Sequence, residues 1–346
     1  MKEYLVVTVV KGSLGNAGPK APLDICRILE KTGKVDVVSL AATEGTDFPV
    51  FLKLYRILNE ARERNRKVIL QYPLQPHIYH DYQACYADLF QLLDTDKTTI
   101  LMHDVNQIRF TNCNVYLHEM QWLKPFHHFI VHNEFMEQYL RKYLEIDTCI
   151  KNEIFDYLCD GQRYQGRESK LDINAPTIVF AGNLDASKAP FLYDLQAEKM
   201  RFYMNVYGRR VALIKNVKIY YCGSFQADAL PGRLRGDMGL IWDGIIDGHL
   251  DRSAQKNYTR YNTPHKFSCY IAAGIPVIAW KEAAIAKTVE KYQVGYLIDN
   301  LYEINDLDFS IYPIYKRNAE KLSEKVRNGY FTKKMFESLI ARDCQR

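Results

Sequence analysis

Short apolar runs rich in β-branched residues alternate with longer stretches of helical periodicity along most of the chain. In the first half, these runs predict strands over residues 4–10, 35–40, 67–72, 98–103, 128–133 and 148–154. The intervening stretches, such as 22–31 and 50–65, predict helices. Strands that alternate with helices of about ten or more residues predict βαβ units and a parallel sheet.

The alternation is interrupted once and then starts again. The polar segment "CDGQRYQGRESKLDINAP", residues 159–176, contains glycine, asparagine and proline and predicts a linker. Beyond it, strands are predicted over 177–182, 202–207, 217–221, 238–242, 275–280 and 295–298. The pattern therefore predicts an α/β fold of two doubly wound domains in tandem, with a cleft between them. The predicted parts are an N-terminal domain 1–158, the linker 159–176, a C-terminal domain 177–330 and an amphipathic final helix 331–346.

The stretch "YNTPHKFSCYIAAGIPVIAW", residues 261–280, predicts a helix that leads into a buried strand. Asn262 or Thr263 is suited to the N-cap, and Pro264 to the first helical position. Gly274 is suited to the position just beyond the helix. Lys266 is therefore predicted to lie in the first turn, where backbone N–H groups lack helical partners.

The predicted place of Lys266 is unusual because the partial positive charge of a helix N-terminus disfavours cations. A lysine there becomes favourable when an anion binds at the same point. No Asp or Glu occurs between residues 252 and 281, although the chain has 41 acidic residues. We therefore treat Lys266 as a candidate anion-binding residue, with a solvated lysine at an ordinary helix start as the alternative.

A second glycine-punctuated segment, "VVTVVKGSLGNAGPKAPLD", follows the first predicted strand. Its glycines, at positions 12, 15 and 18, are three residues apart. This spacing matches neither GxGxxG nor the phosphate loop that ends in GK[ST], so the segment indicates either a tight turn or a phosphate-contacting loop. Two such sites, one in each half, are typical of a ligand held between two domains.

Further candidates lie where predicted strands end, the usual place for chemistry in α/β proteins. "LMHDVNQIR" places His103 and Asp104 at such an end, as a candidate general base with its neighbour or as a helix cap. "VFAGNLDASKAPFLY" ends a strand at Gly182 and Asn183, with Lys188 shortly after. "MGLIWDG" ends another strand, and a buried tryptophan followed by a turn is the favoured interpretation there.

Composition narrows the class of protein. Hydrophobic residues make up 47% of the chain and charged residues 25%, as in globular proteins. The net charge of +5 is mild, and no dense Lys/Arg-aromatic face predicts nucleic-acid binding. The eight cysteines have no zinc spacing and suggest reduced thiols in the cytoplasm. We expect no signal peptide, because the apolar run 4–10 lacks a small-residue cleavage site, and no membrane span, because no apolar stretch approaches about 20 residues. We also expect no metal site, because "DTD" at 94–96 and "DLD" at 306–308 arise easily by chance.

Several short motifs resemble, in order over nearly the whole chain, those of bacterial β-1,6-galactofuranosyltransferases of O-antigen assembly and of the related glucosyltransferases that extend O-glycans on serine-rich repeat adhesins. These motifs are "NAGPKAPLDI", "HDVNQIR", "IFDYL", "FAGNLDASKAPFLY", "YYCGSF", "MGLIWDG", "YNTPHKFSCYIAAGIPVIAW", "VGYLI" and "NGYFTKK". The resemblance implies the GT-B fold, with a UDP-sugar donor held by the C-terminal domain and a glycan or glycolipid acceptor held by the N-terminal one. It also implies a reaction without a metal or other cofactor, a homo-oligomer, and a last helix that packs back on the N-terminal domain. A cytoplasmic protein, with peripheral contact to the inner membrane face as the alternative, would fit such an acceptor.

The resemblance also implies roles for individual residues. Lys266 would contact the donor diphosphate, Lys188 would be a second cation, and Tyr221 would lie beside the uridine. The other donor-binding candidates are Gly182, Asn183, Pro264, His265, Asp243, Gly15 and Asn16. Because both residues are predicted to lie at the end of a strand, Asp104 is our first choice for the base that deprotonates the acceptor hydroxyl and His103 is our second.

The leading hypothesis is an inverting transferase with galactofuranose as the favoured donor sugar and glucose as the alternative. Two hypotheses from other classes are a non-catalytic subunit of the same fold that supports another transferase, and a dinucleotide oxidoreductase. The latter is opposed by the lack of GxGxxG.

Overall fold

The computed structural model describes residues 2–11, 18–42, 47–74, 87–111, 114–159, 171–209 and 212–345. The chain divides into two compact units. Unit 1 comprises Met1–Glu153 and Gly329–Arg346, and unit 2 comprises Ile154–Asn328. Gly15, Asn16 and most of the predicted linker lie outside the described residues.

In unit 1, six strands from the described residues form one parallel sheet in the order β2-β1-β3-β4-β5-β6. The strands are β1 (Tyr4–Lys11), β2 (Val35–Ala42), β3 (Lys67–Tyr72), β4 (Thr98–Met102), β5 (His128–Val131) and β6 (Thr148–Lys151). Strand β1 pairs in register on both sides, so that Val6 is opposite both Val37 and Ile69. Its residues 4–10 are all buried, because helices cover both faces of such a sheet.

Helices lie between strands that are consecutive along the chain. They are α1 (Lys20–Glu30), α2 (Asp47–Glu63), α3 (Asn106–Arg109), α4 (Glu119–Leu123) and α5 (Glu134–Leu140), with a 3₁₀ turn at Asn114–His118. The buried side of α1 includes Ile25, Cys26 and Leu29. Its apolar positions recur at helical spacing, which is why this segment forms a helix against the sheet.

Unit 2 repeats the architecture. Six strands of the described residues form a parallel sheet in the order β12-β11-β10-β7-β8-β9. They are β7 (Thr177–Ala181), β8 (Tyr203–Tyr207), β9 (Ile219–Tyr221), β10 (Met238–Ile241), β11 (Val277–Trp280) and β12 (Gly295–Ile298). Its helices are α6 (Phe191–Asp194), α7 (Ala254–Tyr258), α8 (His265–Ala272), α9 (Ala286–Tyr292) and α10 (Tyr312–Arg327), with 3₁₀ turns at Ala197–Lys199, Leu301–Asp306 and Phe309–Ile311.

The last helix, α11 (Tyr330–Asp343), belongs to unit 1. Its Phe336 ring meets the Tyr4 ring edge-on, with centroids 5.3 Å apart. The Tyr4 hydroxyl donates to Asp343 Oδ2 at 2.6 Å. Gly329 precedes the helix with a φ of +72°, and a Cβ there would lie 2.8 Å from Ile28. The end of the chain is thereby packed on the first strand and first helix.

The sequence pattern predicted this architecture well. Each predicted strand is present, and the observed bounds differ from the predicted ones by three residues or fewer. All strand pairs are parallel, so the prediction of two doubly wound α/β sheets is confirmed. In each sheet the strand order reverses once, between β1 and β3 in unit 1 and between β7 and β10 in unit 2.

Candidate functional site

The carboxyl ends of β7 and β10 define a candidate site in unit 2. These strands are neighbours in the sheet although β8 and β9 separate them in sequence. Gly182 follows β7, and Trp242 and Asp243 follow β10. Open α/β sheets bind ligands in the crevice that forms at such a reversal of strand order.

Helix α8 begins beside this crevice. Pro264 has an extended conformation and serves as the N-cap, so the prediction that it occupies the first helical position, with the cap at Asn262 or Thr263, is wrong by one residue. The reason is that the Pro264 carbonyl, at 3.0 Å, accepts the N–H of Phe267, which closes the first turn without a side-chain cap. Lys266 is therefore the second helical residue and lies in the first turn, as predicted.

The end of α8 follows the prediction. Gly274 has a φ of +67°, which favours glycine. Its N–H donates to Ile271 O at 2.8 Å, and the Ile275 N–H donates to Tyr270 O at 2.9 Å. These two bonds form a Schellman motif, which turns the chain from the helix into β11.

The Lys266 side chain lies across the reversal of strand order. Its Nζ is 2.9 Å from Asp243 Oδ1 and 3.2 Å from Trp242 O. The same ammonium is 4.7 Å from the centroid of the Phe180 ring. A Cβ on Gly182 would lie 3.1 Å from Lys266 Cε, so glycine leaves room for this lysine. The predicted residues Lys266, Asp243 and Gly182 are thus brought together.

Backbone hydrogen bonds link the residues that follow β7, β8 and β9, and they include Gly182 of this cluster. The Gly182 N–H donates to Tyr207 O at 2.9 Å, and the Gly208 N–H donates to Gly223 O at 3.0 Å. The Tyr221 hydroxyl donates to Gly208 O at 3.1 Å, while half of the Tyr221 surface is exposed. The predicted uridine-side residue therefore presents an aromatic face at the same edge of the sheet.

Asn183 and Lys188 lie on the loop that follows Gly182. Asn183 Oδ1 accepts the Asp185 N–H at 3.0 Å, and the Lys188 N–H donates to Asp185 O at 2.8 Å. Both side chains are exposed. The loop is thus a structured turn from which Lys188 projects.

His265 is held by aromatic contacts within unit 2. Its ring stacks on Tyr157, with centroids 4.8 Å apart and an interplanar angle of 24°. Phe155 meets it edge-on at 6.2 Å. The Tyr157 hydroxyl, in turn, donates to Ala227 O at 2.8 Å. These contacts fix the start of α8 from the side of the "IFDYL" motif.

A pocket adjoins the Lys266–Asp243 pair at the ends of β10 and β11. The pocket is lined by Ile241, Trp242, Asp243, Lys256, Thr259, Asn262, Pro264, Trp280, Ala283 and Ile285. Lys256 on α7 is 1% exposed, and its ammonium lies 3.6 Å from the Trp242 ring centroid and 4.2 Å from that of Trp280. Burial lowers the pKa of Lys256 to about 8. Sequence reasoning missed this caged lysine, because nothing local in "SAQKNY" distinguishes it from a solvated one.

In unit 1, His103 follows β4. Its backbone N–H donates to Tyr72 O at 2.7 Å, and its Nε2 lies 2.7 Å from Gln71 Oε1. Two hydrogen bonds fix the orientation of the Gln71 amide, because its Nε2 donates to Pro22 O and to Cys26 Sγ, both at 3.2 Å. Because Gln71 Oε1 is the acceptor, a neutral His103 ring has its proton on Nε2 and its lone pair on Nδ1.

Asp104 forms an ion pair with Arg109, the last residue of α3. The Asp104 side chain is 18% exposed, so this carboxylate is partly accessible. Any group that binds this carboxylate must share it with the guanidinium. His103 and Asp104 are therefore both held in place by neighbours in unit 1.

Glu119, the first residue of α4, is a buried carboxyl beneath this turn. Its Oε1 accepts from the Tyr72 hydroxyl at 2.9 Å and from the Asn106 N–H at 3.1 Å. Its Oε2 accepts from the Gln107 N–H at 2.7 Å. Burial raises the pKa of Glu119 to about 7, and the Asp104 charge raises it in the same direction. The sequence offers no signal for Glu119, which has the appearance of an ordinary acid in a first helical turn.

His132 follows β5 and is also buried. Its Nε2 lies 3.1 Å from Met102 O. Burial lowers the pKa of His132 to about 4. A neutral ring at neutral pH therefore donates from Nε2 to this carbonyl and anchors the end of β4, next to His103.

Neither aspartate triplet is arranged as a cluster of ligands. Asp94 accepts from the Asp96 N–H at 3.1 Å and pairs with Lys97 at 3.6 Å. Asp308 accepts from the Ser310 N–H at 2.9 Å. Over the described part of the chain, no three His, Cys, Asp or Glu side chains converge as metal ligands would. In the same residues, no helix is both long and apolar enough to cross a bilayer.

Solved structures share this two-unit architecture. Sucrose-phosphate synthase from Thermosynechococcus elongatus superposes with a TM-score of 0.63 at 12% identity, over 100% of both chains. HepE from Anabaena, in complex with UDP-glucose, superposes with a TM-score of 0.61 at 13% identity, over 97% of this chain and 99% of that one. Together with paired parallel sheets, this likeness defines the GT-B fold of glycosyltransferases.

Sequence comparison identifies the family. The glucosyltransferase 3-like N-terminal domain matches residues 3–144, and the glucosyltransferase 3-like C-terminal domain matches residues 178–339. The chain therefore belongs to the glucosyltransferase 3-like family of glycosyltransferases.

Two characterised relatives agree with this assignment. Beta-1,6-galactofuranosyltransferase WbbI from Escherichia coli K12 is 26% identical over 342 residues, which are 94% of each protein. Glucosyltransferase 3 from Streptococcus gordonii is 27% identical over 166 residues, which are 46% of this chain and 47% of that protein. The resemblance expected from the motifs is thus confirmed.

Proposed function

We propose that the protein transfers a hexosyl group from a UDP-sugar to a hydroxyl of a bacterial surface glycan, with inversion at the anomeric carbon and without a metal ion. The observation that carries this proposal is the position of Lys266. Its ammonium lies in the first turn of α8, at the reversal of strand order and beside Gly182. That is where an α/β sheet, a helix N-terminus and a cation act together on a phosphate.

The charge changes of the reaction fit these groups. As the bond between the anomeric carbon and the β-phosphate oxygen breaks, the leaving UDP gains negative charge. Lys266 and the N–H groups at the start of α8 stabilise this charge, a role that prearranged donors perform efficiently in a site with little water. Lys188, on the loop after β7, would supply a second cation. Tyr221 would contact the uridine, and Gly15 and Asn16 the phosphates or the sugar.

The acceptor oxygen attacks the anomeric carbon as UDP departs, and its proton passes to a base. Asp104 is our first choice for this base and Nδ1 of His103 our second. Both follow β4 in unit 1, and neighbouring side chains hold both in place. An alcohol is a poor nucleophile at neutral pH, so loss of its base is expected to slow the chemical step.

Galactofuranose is the favoured donor sugar, because the galactofuranosyltransferase aligns with 94% of this chain whereas the glucosyltransferase aligns with 46%. Glucose is the alternative. We propose that the enzyme is cytoplasmic and forms a homo-oligomer. A glycolipid acceptor would bring it into peripheral contact with the inner membrane face.

Ligand binding followed by turnover tests this function. Thermal shifts with UDP, GDP, CMP and NADH, in buffer without metal, should show stabilisation by UDP. UDP release from UDP-galactofuranose and UDP-glucose should then be measured with glycan acceptors, with and without EDTA.

The outcomes separate the hypotheses. Stabilisation by UDP with EDTA-resistant turnover supports the proposal. Stabilisation by NADH would indicate an oxidoreductase instead. UDP binding without turnover on any donor would favour a non-catalytic supporting subunit, and loss of turnover in EDTA would contradict metal independence.

A further inference from the structure

The connections that leave β8 and β9 lack the helices found after the other strands of unit 2. Over the described residues, the segment from β8 to β9 and the segment from β9 to β10 contain turns but no helix. Parallel sheets are usually covered on both faces, because each crossover carries a helix. This end of the sheet is therefore left with an open face.

Two tyrosines lie on the open face. Tyr203 in β8 and Tyr220 in β9 are both exposed, and their ring centroids are 6.1 Å apart. The Lys218 ammonium lies 6.0 Å from the centroid of the Tyr203 ring. Asn205 shares the face of Tyr203, because side chains two apart on a strand point the same way, and it donates to Arg235 O at 2.7 Å. The face thus presents aromatic rings beside basic residues.

The connection from β8 to β9 adds exposed aliphatic side chains. Leu213 is 81% exposed and Val217 is 75% exposed, the highest values among the large hydrophobic residues that the structure describes. Lys215, between them, is also exposed. The connection is held against the sheet, since Asn216 Nδ2 donates to Leu195 O at 2.8 Å. Lysines alone protect an edge strand from pairing, but exposed aliphatic residues need another explanation.

The same region carries positive charge without nearby acids in sequence. Residues 199–227 contain six lysines and arginines and no Asp or Glu. Arg201 pairs with an aspartate of a neighbouring 3₁₀ turn at 3.6 Å. No carboxylate of the described residues pairs with Arg209, Lys215 or Lys218. A second copy of this chain would bring like charges together here, whereas an anionic partner would neutralise them.

We infer that this end of unit 2 docks the enzyme on an anionic lipid bilayer. The docking surface, which we call the β8–β9 surface, consists of Tyr203, Leu213, Lys215, Val217, Lys218 and Tyr220. The inference rests on the proposed function, because it names the surface by which an enzyme with a glycolipid acceptor would meet the membrane.

Each kind of side chain on the β8–β9 surface suits a different layer of the bilayer. The lysines are attracted to anionic headgroups, and tyrosines are favoured where the headgroups meet the acyl chains. Leu213 and Val217 can enter the outer part of the acyl layer. Tyr203 begins β8 at the amino edge of the sheet, whereas Gly182 and Lys266 lie at the carboxyl edge. A membrane docked here therefore leaves the proposed donor site open.

Flotation of the full chain with lipid vesicles tests the β8–β9 surface. The wild type should bind vesicles of phosphatidylcholine mixed with phosphatidylglycerol about tenfold more tightly than vesicles of phosphatidylcholine alone. Lys215→Glu should weaken binding to the anionic vesicles about tenfold, because a cation becomes an acid. A variant with both Leu213→Ser and Val217→Ser should weaken it by a similar factor, because less apolar surface enters the bilayer. The matched controls are Lys321→Glu and Ile314→Ser on exposed positions of α10, which should bind like the wild type.

Two further measurements separate docking from folding and from the transferase reaction. UDP affinity, and turnover on a glycan acceptor without lipid, should be the same in the variants as in the wild type. Turnover on a glycolipid acceptor in anionic vesicles should fall in proportion to vesicle binding.

The outcomes are distinct. A wild type that does not bind anionic vesicles, or variants that bind them like the wild type, would overturn the inference while leaving the proposed function intact. Variants whose molecular mass by light scattering falls, with vesicle binding unchanged, would also overturn it, because the surface would then be a contact between copies of the chain. A wild type that binds vesicles through this surface but binds no UDP would overturn the proposed function and leave the docking surface in place.

Discussion

The Lys266 ammonium lies 2.9 Å from the Asp243 carboxylate, at the point where the sheet of unit 2 reverses its strand order. The acid-free stretch around Lys266 in the sequence is therefore misleading about its surroundings in space. A diphosphate that binds Lys266 must compete with this carboxylate or share the lysine with it. The pair is partly exposed, so its own contribution to stability is small, of about 1 kcal/mol or less.

Removal of the lysine should weaken nucleotide binding. We expect Lys266→Ala to lower the affinity for UDP by about 1–3 kcal/mol, the range for hydrogen bonds to charged groups. Calorimetry at fixed ionic strength measures this loss. The control is Lys321→Ala, an exposed lysine on α10, which should bind UDP like the wild type. If Lys266→Ala binds UDP with wild-type affinity, Lys266 is not part of an anion-binding site.

Removal of the competing carboxylate should have the opposite effect. In Asp243→Asn, Lys266 loses its counterion and the diphosphate loses a repulsive neighbour, so we expect UDP to bind about two- to tenfold more tightly. The same titration applies, with Asp194→Asn on the exposed side of α6 as the control. Weaker UDP binding in Asp243→Asn would mean that the carboxylate itself contacts the nucleotide.

The proposed base should affect turnover without affecting the nucleotide. Asp104→Asn is expected to leave UDP affinity within about twofold and to lower kcat by about 10²–10⁴, the usual contribution of a general base. Asp96→Asn, an exposed acid in the "DTD" triplet, serves as the control and should retain full activity. If Asp104→Asn is active and His103→Gln is inactive, His103 and not Asp104 is the base.

Glu119 should make stability depend on pH in a defined direction. Burial raises its pKa from the ordinary value of 4.5 to about 7, so the folded state binds this proton more tightly than the unfolded state does. The stabilisation is complete below pH 4.5 and is lost as pH rises through about 7.

The variant Glu119→Gln removes this titration but keeps the shape of the side chain. Its melting temperature relative to the wild type should rise between pH 5 and 8, with a free-energy change on the order of a few kcal/mol. Thermal unfolding over this pH range, with the exposed Glu145→Gln as the comparison, measures the effect. A difference that stays constant with pH would show that Glu119 does not titrate in this window.

The position of Lys266 was predictable because the signals that determine it are local. A proline, apolar residues at helical spacing and Gly274 define α8, and only the exact N-cap was wrong. His103, Asp104, Gly182 and Asp243 were predicted to lie at strand ends for a similar reason. Apolar runs mark where buried strands stop, and polar residues directly follow them.

The partners of these residues could not be predicted from the same signals. Asp243 and Lys266 are 23 residues apart, and Tyr72 and Glu119 are 47 apart. Lys256 is recognised as a caged cation only once Trp242 and Trp280 are known to end neighbouring strands. No local sequence pattern indicates which strands become neighbours in the sheet.

The sequence by itself therefore determined the two parallel sheets, their strands and the helix that presents Lys266, because hydrophobic periodicity and turn residues act over a few positions. The tertiary structure decided which charges meet. The packing of α8 on the end of β10 places Asp243 against Lys266, and strand order brings β3 beside β4 and so places Gln71 against His103. Strand order depends on the packing of the whole sheet, and the pairing of side chains at its carboxyl edge follows from it.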